Sequence, residues 1–133
     1  MLYRESFEVS LKKGIDFINI TEKIEEIVEK SEVRDGLCHI FLPSTTAGLI
    51  INENDPLLIE DIKRFFRELV EEKRLYHHPS NAHSHLRALL TRKEKVIPIK
   101  DGKLVLGTWQ SILLFNFDVR ARKREVIVTV IGE

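Results

Sequence analysis

The histidines of this sequence are concentrated in one short segment. Four of the five lie within nine residues, from His77 to His85. Imidazole nitrogens bind zinc and other divalent ions, but a tight site needs three or four converging ligands. On a helix, side chains two residues apart point about 200° apart, so only one of His83 and His85 could serve a helical site. The segment from Tyr76 to His85 is the first candidate for a functional site, with metal binding and ordinary loop histidines as its alternatives.

Two further segments carry groups that suit an anion. The turn from Ser44 to Gly48 combines hydroxyl groups with backbone amides, as in phosphate-binding turns, although ordinary turns use the same residues. The run from Arg120 to Arg124 alternates, so three guanidinium groups point to one side of an extended strand, and phosphate is their natural partner. Trp109 and Gln110 place an aromatic wall beside an amide, which suits either a flat heteroaromatic ligand or ordinary packing.

The acidic candidates for catalysis are few. Glu53 follows an apolar run and could act as a general base, whereas Asp61 lies within a predicted helix, where a carboxylate is more often solvated. Cys38 lies in an apolar run, where a thiol is usually inert, and the sequence has no Gly-x-Ser-x-Gly motif. These observations disfavour nucleophilic catalysis.

Composition narrows the class of protein. Lys plus Arg equals Asp plus Glu at 21 each, so no net charge favours nucleic acid or a membrane surface as a partner. No apolar run approaches the roughly 20 residues needed to span a bilayer, and the start of the sequence does not resemble a secretory signal. We expect one cytoplasmic domain over residues 1–133, without an internal disulfide.

Hydrophobic periodicity predicts the elements that must position these groups. Alternation predicts a strand over Leu2–Leu11. Asp55-Pro56 predicts the start of a helix that runs to about Lys73. Thr21 is expected to cap an earlier helix ending near Ser31, and Asn81 a later one that turns Leu86, Leu89 and Leu90 inward.

Short apolar runs predict the remaining strands. Leu37–Leu42 and Leu49–Ile51 flank one turn and are expected to pair with each other, and four more runs make the last third of the chain β-rich: 96–99, 104–106, 109–117 and 126–131. Along 109–118, one face of the strand is expected to be a core face. Trp109, Leu113, Phe115 and Phe117 form one face, and the other combines Ile112 and Leu114 with the polar residues Gln110, Asn116 and Asp118. The whole pattern favours an α+β domain, with a mainly antiparallel, β-sandwich-like sheet structure and two to three inserted helices.

Taken together and in this order, the motifs resemble the YjbQ-like family, which is also named for a secondary thiamine-phosphate synthase activity. The resemblance spans nearly the whole chain. Its carriers are Thr45-Thr-Ala-Gly-Leu49, Asn52-Glu53, Asp55-Pro56 with Asp61, Tyr76-x-His78, Asn81-Ala-x-x-His85-Leu86, Gly107-Thr-Trp-Gln110, Arg122-x-Arg124 before the final strand, and Gly132-Glu133. Each motif is weak alone, and their combination is specific.

The resemblance implies a small homotrimeric α+β protein with a polar pocket for a phosphorylated small molecule. It implies catalytic roles for four residues: His78, His85, Glu53 and Asp61. It implies substrate binding by seven: Thr45, Thr46, Asn81, Trp109, Gln110, Arg122 and Arg124. The family usually has histidine at the place of Ser44, which implies a zinc or magnesium site of which this chain keeps His78 and His85.

The reaction implied by the family name joins a pyrimidine diphosphate to a thiazole phosphate with loss of diphosphate. Arg122, Arg124 or a metal would stabilise the departing diphosphate, and Trp109 would hold the pyrimidine. A nonenzymatic trimer that binds a metal or a metabolite is the alternative. A metal-dependent hydrolase is a third class.

Overall fold

The computed structural model describes residues 1–133 as eight strands and three helices. In chain order the elements are β1 (Leu2–Leu11), β2 (Asp16–Asn19), α1 (Thr21–Ser31), β3 (Asp35–Phe41), β4 (Ala47–Asn52), α2 (Pro56–Leu69), α3 (Ala82–Leu89), β5 (Glu94–Lys100), β6 (Lys103–Leu104), β7 (Ser111–Asn116) and β8 (Arg122–Gly132). None of the three helices is long and apolar enough to cross a membrane.

The strands form two sheets in which every pair of neighbours is antiparallel. The larger sheet has the order β1-β8-β3-β5-β6, and the smaller has the order β2-β7-β4. The predicted α+β class with mainly antiparallel sheets is therefore confirmed. The predicted pairing of Leu37–Leu42 with Leu49–Ile51 is wrong, because the turn between these strands passes from one sheet to the other.

Two apolar clusters lie on either side of the smaller sheet. The main core fills the space between the sheets and includes Ile24 and Ile27 of α1, Ile40 of β3 and Val128 of β8. A second cluster joins α2 and α3 to the other side of β7. Both faces of β7 are therefore buried, so the expectation that one face of this strand is a core face holds for both faces.

Some of the predicted helix ends agree with the structure and others do not. Asp55 caps α2 as predicted, since its Oδ2 accepts a hydrogen bond of 2.9 Å from the amide of Leu58. The predicted end near Lys73 is too late, because α2 stops at Leu69. Thr21 is the first residue of α1 and not its cap, and its hydroxyl accepts a hydrogen bond from Ile112 N of β7.

Helix α3 buries the face opposite to the one predicted. Leu86, Leu89 and Leu90 are exposed, whereas Ser84 and Ala88 are buried. The small side chains let the helix lie close to β4, and Asn81 makes no capping bond with its side chain.

The outer face of the larger sheet carries apolar side chains. The register places Leu2, Ile131 and Leu37 side by side on β1, β8 and β3, and each is about half exposed. Val96 of β5 lies on the same face one row further along and is also exposed. This face has no partner within the chain.

Candidate functional site

A cleft of about 580 Å³ opens where the turn after β3 meets the start of β8. Seven of the residues singled out from the sequence line it: Ser44, Thr45, Thr46, Asn81, His85, Arg122 and Arg124. The turn arrives from the larger sheet, Asn81 and His85 come from the start of α3, and the arginines come from β8. Residues far apart in sequence thus meet because β8 lies beside β3.

Arg124 is held rigidly at the base of the cleft. Its Nη1 donates to Ser44 Oγ at 2.8 Å, and its Nη2 donates to Thr46 Oγ1 at 2.8 Å. Its Nε and Nη2 both donate to Asn116 Oδ1, at 3.2 and 2.6 Å. A guanidinium group has five N–H donors, so these bonds use most of them. Arg124 therefore orders the turn and supplies positive charge, with little capacity left for direct ligand contacts.

Asp118 balances part of that charge from a buried position. Its carboxylate accepts hydrogen bonds from Thr46 Oγ1 at 3.0 Å, from Arg122 Nε at 3.0 Å and from the amide of Arg120 at 3.1 Å. Burial alone would raise the pKa of Asp118, but these bonds and the charge of Arg122 hold that pKa below its usual value. The carboxylate is thus an ionised anchor for both Arg122 and Thr46.

The cleft carries an excess of positive charge. Its lining includes four cationic side chains, those of Lys93, Arg122, Lys123 and Arg124, and one carboxylate, that of Asp118, which leaves three net positive charges. Arg122 is partly exposed and commits only its Nε to Asp118, so its two terminal nitrogens can reach a ligand. Such a fork of donors suits the oxygens of phosphate.

His85 lies between this cleft and a second one. The second cleft has a volume of about 340 Å³ and is lined by Tyr76, His77, His78, Ala82, His85 and Leu86. The rings of His78 and His85 pack edge to face, with centroids 5.2 Å apart. His78 Nε2 donates to Asn81 Oδ1 at 3.0 Å, which fixes the ring of His78 beside the first cleft. The predicted segment from Tyr76 to His85 therefore forms a wall shared by two adjoining clefts.

The side chains around His78 and His85 do not form a metal site. The family's usual third histidine is replaced here by Ser44. No three side chains of His, Cys, Asp or Glu converge anywhere in residues 1–133. At the third position, Ser44 offers a neutral hydroxyl that already accepts a bond from the Arg124 cation. Structural zinc needs four ligands and catalytic zinc three. The nitrogen of His78 that bonds Asn81 is also committed.

Five further candidate residues lie outside both clefts. Asp61 is exposed on α2 and 3.9 Å from Arg64, and Glu53 lies in the loop between β4 and α2. Trp109 is 72% exposed in a turn, where Gln110 accepts a bond from Gly107 N. His83 is buried in α3 beside Glu72, so it is a packed side chain with no part in either cleft.

Sequence reasoning left out three residues that line or anchor the cleft. Lys93 immediately precedes β5. It is an even number of residues from the buried Ile97 and Ile99, so strand alternation predicts that its side chain lies on the same, inward side. Asn116 and Asp118 were recognised only as polar positions of a strand. Their roles depend on the approach of Arg124 from β8, for which short-range spacing gives no signal. Arg120, expected to point with the other two arginines, contributes backbone groups instead: its amide donates to Asp118 and its carbonyl accepts from Asn116.

The chain matches one protein family over almost its whole length. The family model described as UPF0047 protein YjbQ-like matches residues 5–133. A UPF0047 protein of Archaeoglobus fulgidus is 44% identical over 126 residues, which cover 91% of this chain and 97% of the relative. A UPF0047 protein of Methanocaldococcus jannaschii is 37% identical over 135 residues, covering 100% and 96%.

Solved structures extend the similarity to three dimensions. The crystal structure of a YbjQ-like protein of unknown function from Sulfolobus solfataricus has a TM-score of 0.96 and 38% identity, covering 100% of this chain and 99% of that one. A yjbq/upf0047 family protein from Clostridium acetobutylicum has a TM-score of 0.85 and 40% identity, covering 94% and 99%.

Proposed function

The chain belongs to the UPF0047 protein YjbQ-like family, and we propose that its cationic cleft binds the phosphate group of a small molecule. The observation that carries this proposal is the surplus of three positive charges in a cleft with one buried carboxylate. A charge surplus between low-dielectric walls attracts anions and raises their local concentration. Preorganised donors add selectivity because they are already oriented before the ligand arrives.

Some side chains of the cleft order its wall and others remain free to bind a ligand, and this arrangement favours phosphate over a carboxylate or a neutral ligand. Arg124 and Asp118 hold Ser44 and Thr46 in place, and Arg122 keeps two terminal nitrogens free. Thr45 is exposed at the rim, where its hydroxyl can donate to an oxygen of the ligand. Several donors around one volume match a group with three or four oxygens.

We propose a transferase of the thiamine-phosphate synthase type as the activity of this site. Arg122 would stabilise the departing diphosphate as its negative charge develops. His85, shared by the two clefts, would carry a proton between the reacting groups. The apolar cleft with Tyr76 and His78 would receive the ring, since Trp109 lies elsewhere.

Phosphate binding can be measured by calorimetry with inorganic phosphate and diphosphate. We expect Arg122→Ala to weaken diphosphate binding about tenfold or more, because one charge-assisted contact contributes roughly 1.5–3 kcal/mol. The matched control is Arg64→Ala, which removes an exposed arginine of α2 far from the cleft. Equal affinities for the wild type and Arg122→Ala would contradict the proposal.

Turnover separates the transferase from a protein that only binds a metabolite. Purified protein is given a pyrimidine diphosphate and a thiazole phosphate, and thiamine phosphate is measured. Product that requires both His85 and Arg122 would support the transferase. Tight phosphate binding without product would instead support the nonenzymatic alternative.

We further propose that the chain assembles as a homotrimer through the outer face of its larger sheet. Leu2, Leu37, Val96 and Ile131 expose apolar surface on that face, and contiguous apolar surface of this kind is typical of interfaces. Light scattering after size-exclusion chromatography measures the mass directly. We expect Leu37→Asp to shift the trimer to monomer, whereas Leu57→Asp, at an exposed leucine of α2, should not. A monomeric wild type would refute this proposal.

A further inference from the structure

Lys93 occupies an unusual position for a lysine. It immediately precedes β5, and its side chain turns inward to the cleft that Arg122 and Arg124 also line. Its Nζ donates a hydrogen bond to the carbonyl of Ala47, at the start of β4. This bond holds the nitrogen at the wall of the cleft instead of letting it extend into solvent.

No carboxylate neutralises this lysine. The salt bridges of the cleft join Asp118 to Arg122 and to Arg124, and none includes Lys93. Burial lowers the pKa of Lys93, and the nearby charge of Arg124 lowers it further. A neutral amine has a lone pair and is nucleophilic, whereas the ammonium form is not.

We propose that Lys93 is a nucleophilic amine that forms an imine with the carbonyl group of a phosphorylated aldehyde or ketone held in the cleft. The proposal rests on the proposed function, since the phosphate is taken to bind at Arg122. It adds a covalent site and a class of ligand that phosphate binding alone does not imply.

The reaction balances without an oxidant or a reductant. The nitrogen lone pair forms a bond to the carbonyl carbon, the carbonyl oxygen takes up a proton, and the nitrogen loses one, which gives a carbinolamine. The hydroxyl group then leaves with a proton as water while the carbon–nitrogen double bond forms, and hydrolysis reverses both steps. His85 lines the same cleft and can carry the protons.

The net charge of the cleft also favours a phosphorylated ligand beside a neutral Lys93. When Lys93 is neutral, Arg122, Lys123 and Arg124 face the single carboxylate of Asp118, so two net positive charges remain. A phosphate dianion matches that charge, and burial, the larger cause of the lowered pKa of Lys93, does not depend on the charges that the phosphate neutralises. The charge of the rigid Arg124 is the one that lowers the pKa of Lys93.

Lys95 provides an internal comparison. Its pKa is also lowered, first by burial and then by the charge of Arg92, but it lines a different groove with Phe65 and Leu90. A lowered pKa is therefore shared by both lysines, and only Lys93 lines the cleft that Arg122 and Arg124 also line. Selective reaction at Lys93 would show that the anion-binding groups direct the chemistry.

The probe is pyridoxal 5′-phosphate, a stable phosphorylated aldehyde. The protein is incubated with this probe near neutral pH, the imine is trapped with sodium cyanoborohydride, and modified lysines are identified by peptide mass spectrometry. We expect Lys93 to be labelled about tenfold faster than Lys95, because binding of the phosphate raises the local concentration of the aldehyde. Inorganic phosphate should suppress labelling, and pyridoxal without phosphate should not distinguish the two lysines.

Lys93→Arg keeps a donor for the carbonyl of Ala47 but cannot form an imine, so labelling in the cleft should vanish. Circular dichroism and thermal unfolding of the variant verify its fold, and Lys95→Arg is the matched control, with labelling of Lys93 unchanged. If calorimetry shows that phosphate binds but Lys93 reacts no faster than Lys95, the imine proposal is overturned and the proposed function stands. If phosphate does not bind at all, both are overturned.

Discussion

Replacement of Asp118 by asparagine tests whether the charge balance beneath the cleft stabilises the protein. The change keeps the size of the side chain and removes its charge. Asp118 and Arg124 expose only 4% and 10% of their side chains, so the arginine would remain nearly buried beside a neutral amide. The carboxylate now accepts hydrogen bonds from Thr46 and Arg122. In the variant, the NH₂ group of the asparagine would replace one of the two carboxylate oxygens and could not accept the bonds made there.

Loss of one partner from a buried ion pair costs about 3–5 kcal/mol. Asparagine keeps one acceptor oxygen, so we expect the lower end of that range, about 3 kcal/mol. For a domain of this size, that loss corresponds to a decrease in Tm of roughly 10 °C. Asp61→Asn is the matched control, since it breaks an exposed pair with Arg64 and should cost about 0.5 kcal/mol or less.

The pH dependence supplies a second measurement on the same variant. Because the folded-state pKa of Asp118 is depressed, its stabilisation is present above the unfolded-state pKa of about 3.9 and is lost as pH falls through the folded-state value. The difference in unfolding free energy between wild type and Asp118→Asn, from urea denaturation, should be constant from about pH 5 upward and shrink below about pH 4. A difference under about 1 kcal/mol at neutral pH would refute the reasoning, since it falls below the expected cost of an unpaired buried charge.

Two further predictions concern stability. Burial, and secondarily the charge of Arg87, lowers the pKa of His83 against the opposing effect of Glu72. Its stabilisation is therefore present above the unfolded-state value of about 6.5 and is lost as pH falls below it. His83→Gln should flatten the pH dependence of Tm in this window, and an unchanged profile would contradict the role of His83. Gly48→Ala would place a Cβ 1.6 Å from Thr91 Oγ1 and 2.4 Å from its Cβ, so urea denaturation should show a loss of about 3 kcal/mol or more. A loss under about 1 kcal/mol would mean that the side chain of Thr91, or the segment that carries it, can move away from β4.

Local signals in the sequence were reliable where the chemistry is local. Asp55-Pro56 predicted the start of α2 because capping involves only the next few residues. Alternation over Leu2–Leu11 predicted a strand with one inward face, and β1 has that face. Most of the lining of the cleft was also anticipated, since a hydroxyl-rich turn and paired arginines are suited to anions wherever they meet.

The errors arose where distant parts of the chain decide the outcome. An apolar run does not specify its sheet, so Leu37–Leu42 and Leu49–Ile51 were paired with each other when each had a better partner over fifty residues away. Leucine spacing misled at α3, because a short helix can pack through small residues while its leucines face outward. Lys93 was overlooked because a lysine beside a strand is ordinarily solvated, and only the second sheet makes this one inward.

The pairing of β1 with β8 also determines how late in synthesis the protein can finish folding. Arg122 and Arg124 lie on a strand whose two neighbours, β1 and β3, are synthesised much earlier. Until β8 has left the ribosome, β1 has no strand to join and the main core lacks Val126, Val128 and Val130. Contacts between such distant residues generally form slowly. The cleft is therefore a late product of folding, and a nascent chain that lacks β8 has neither the site nor a closed core.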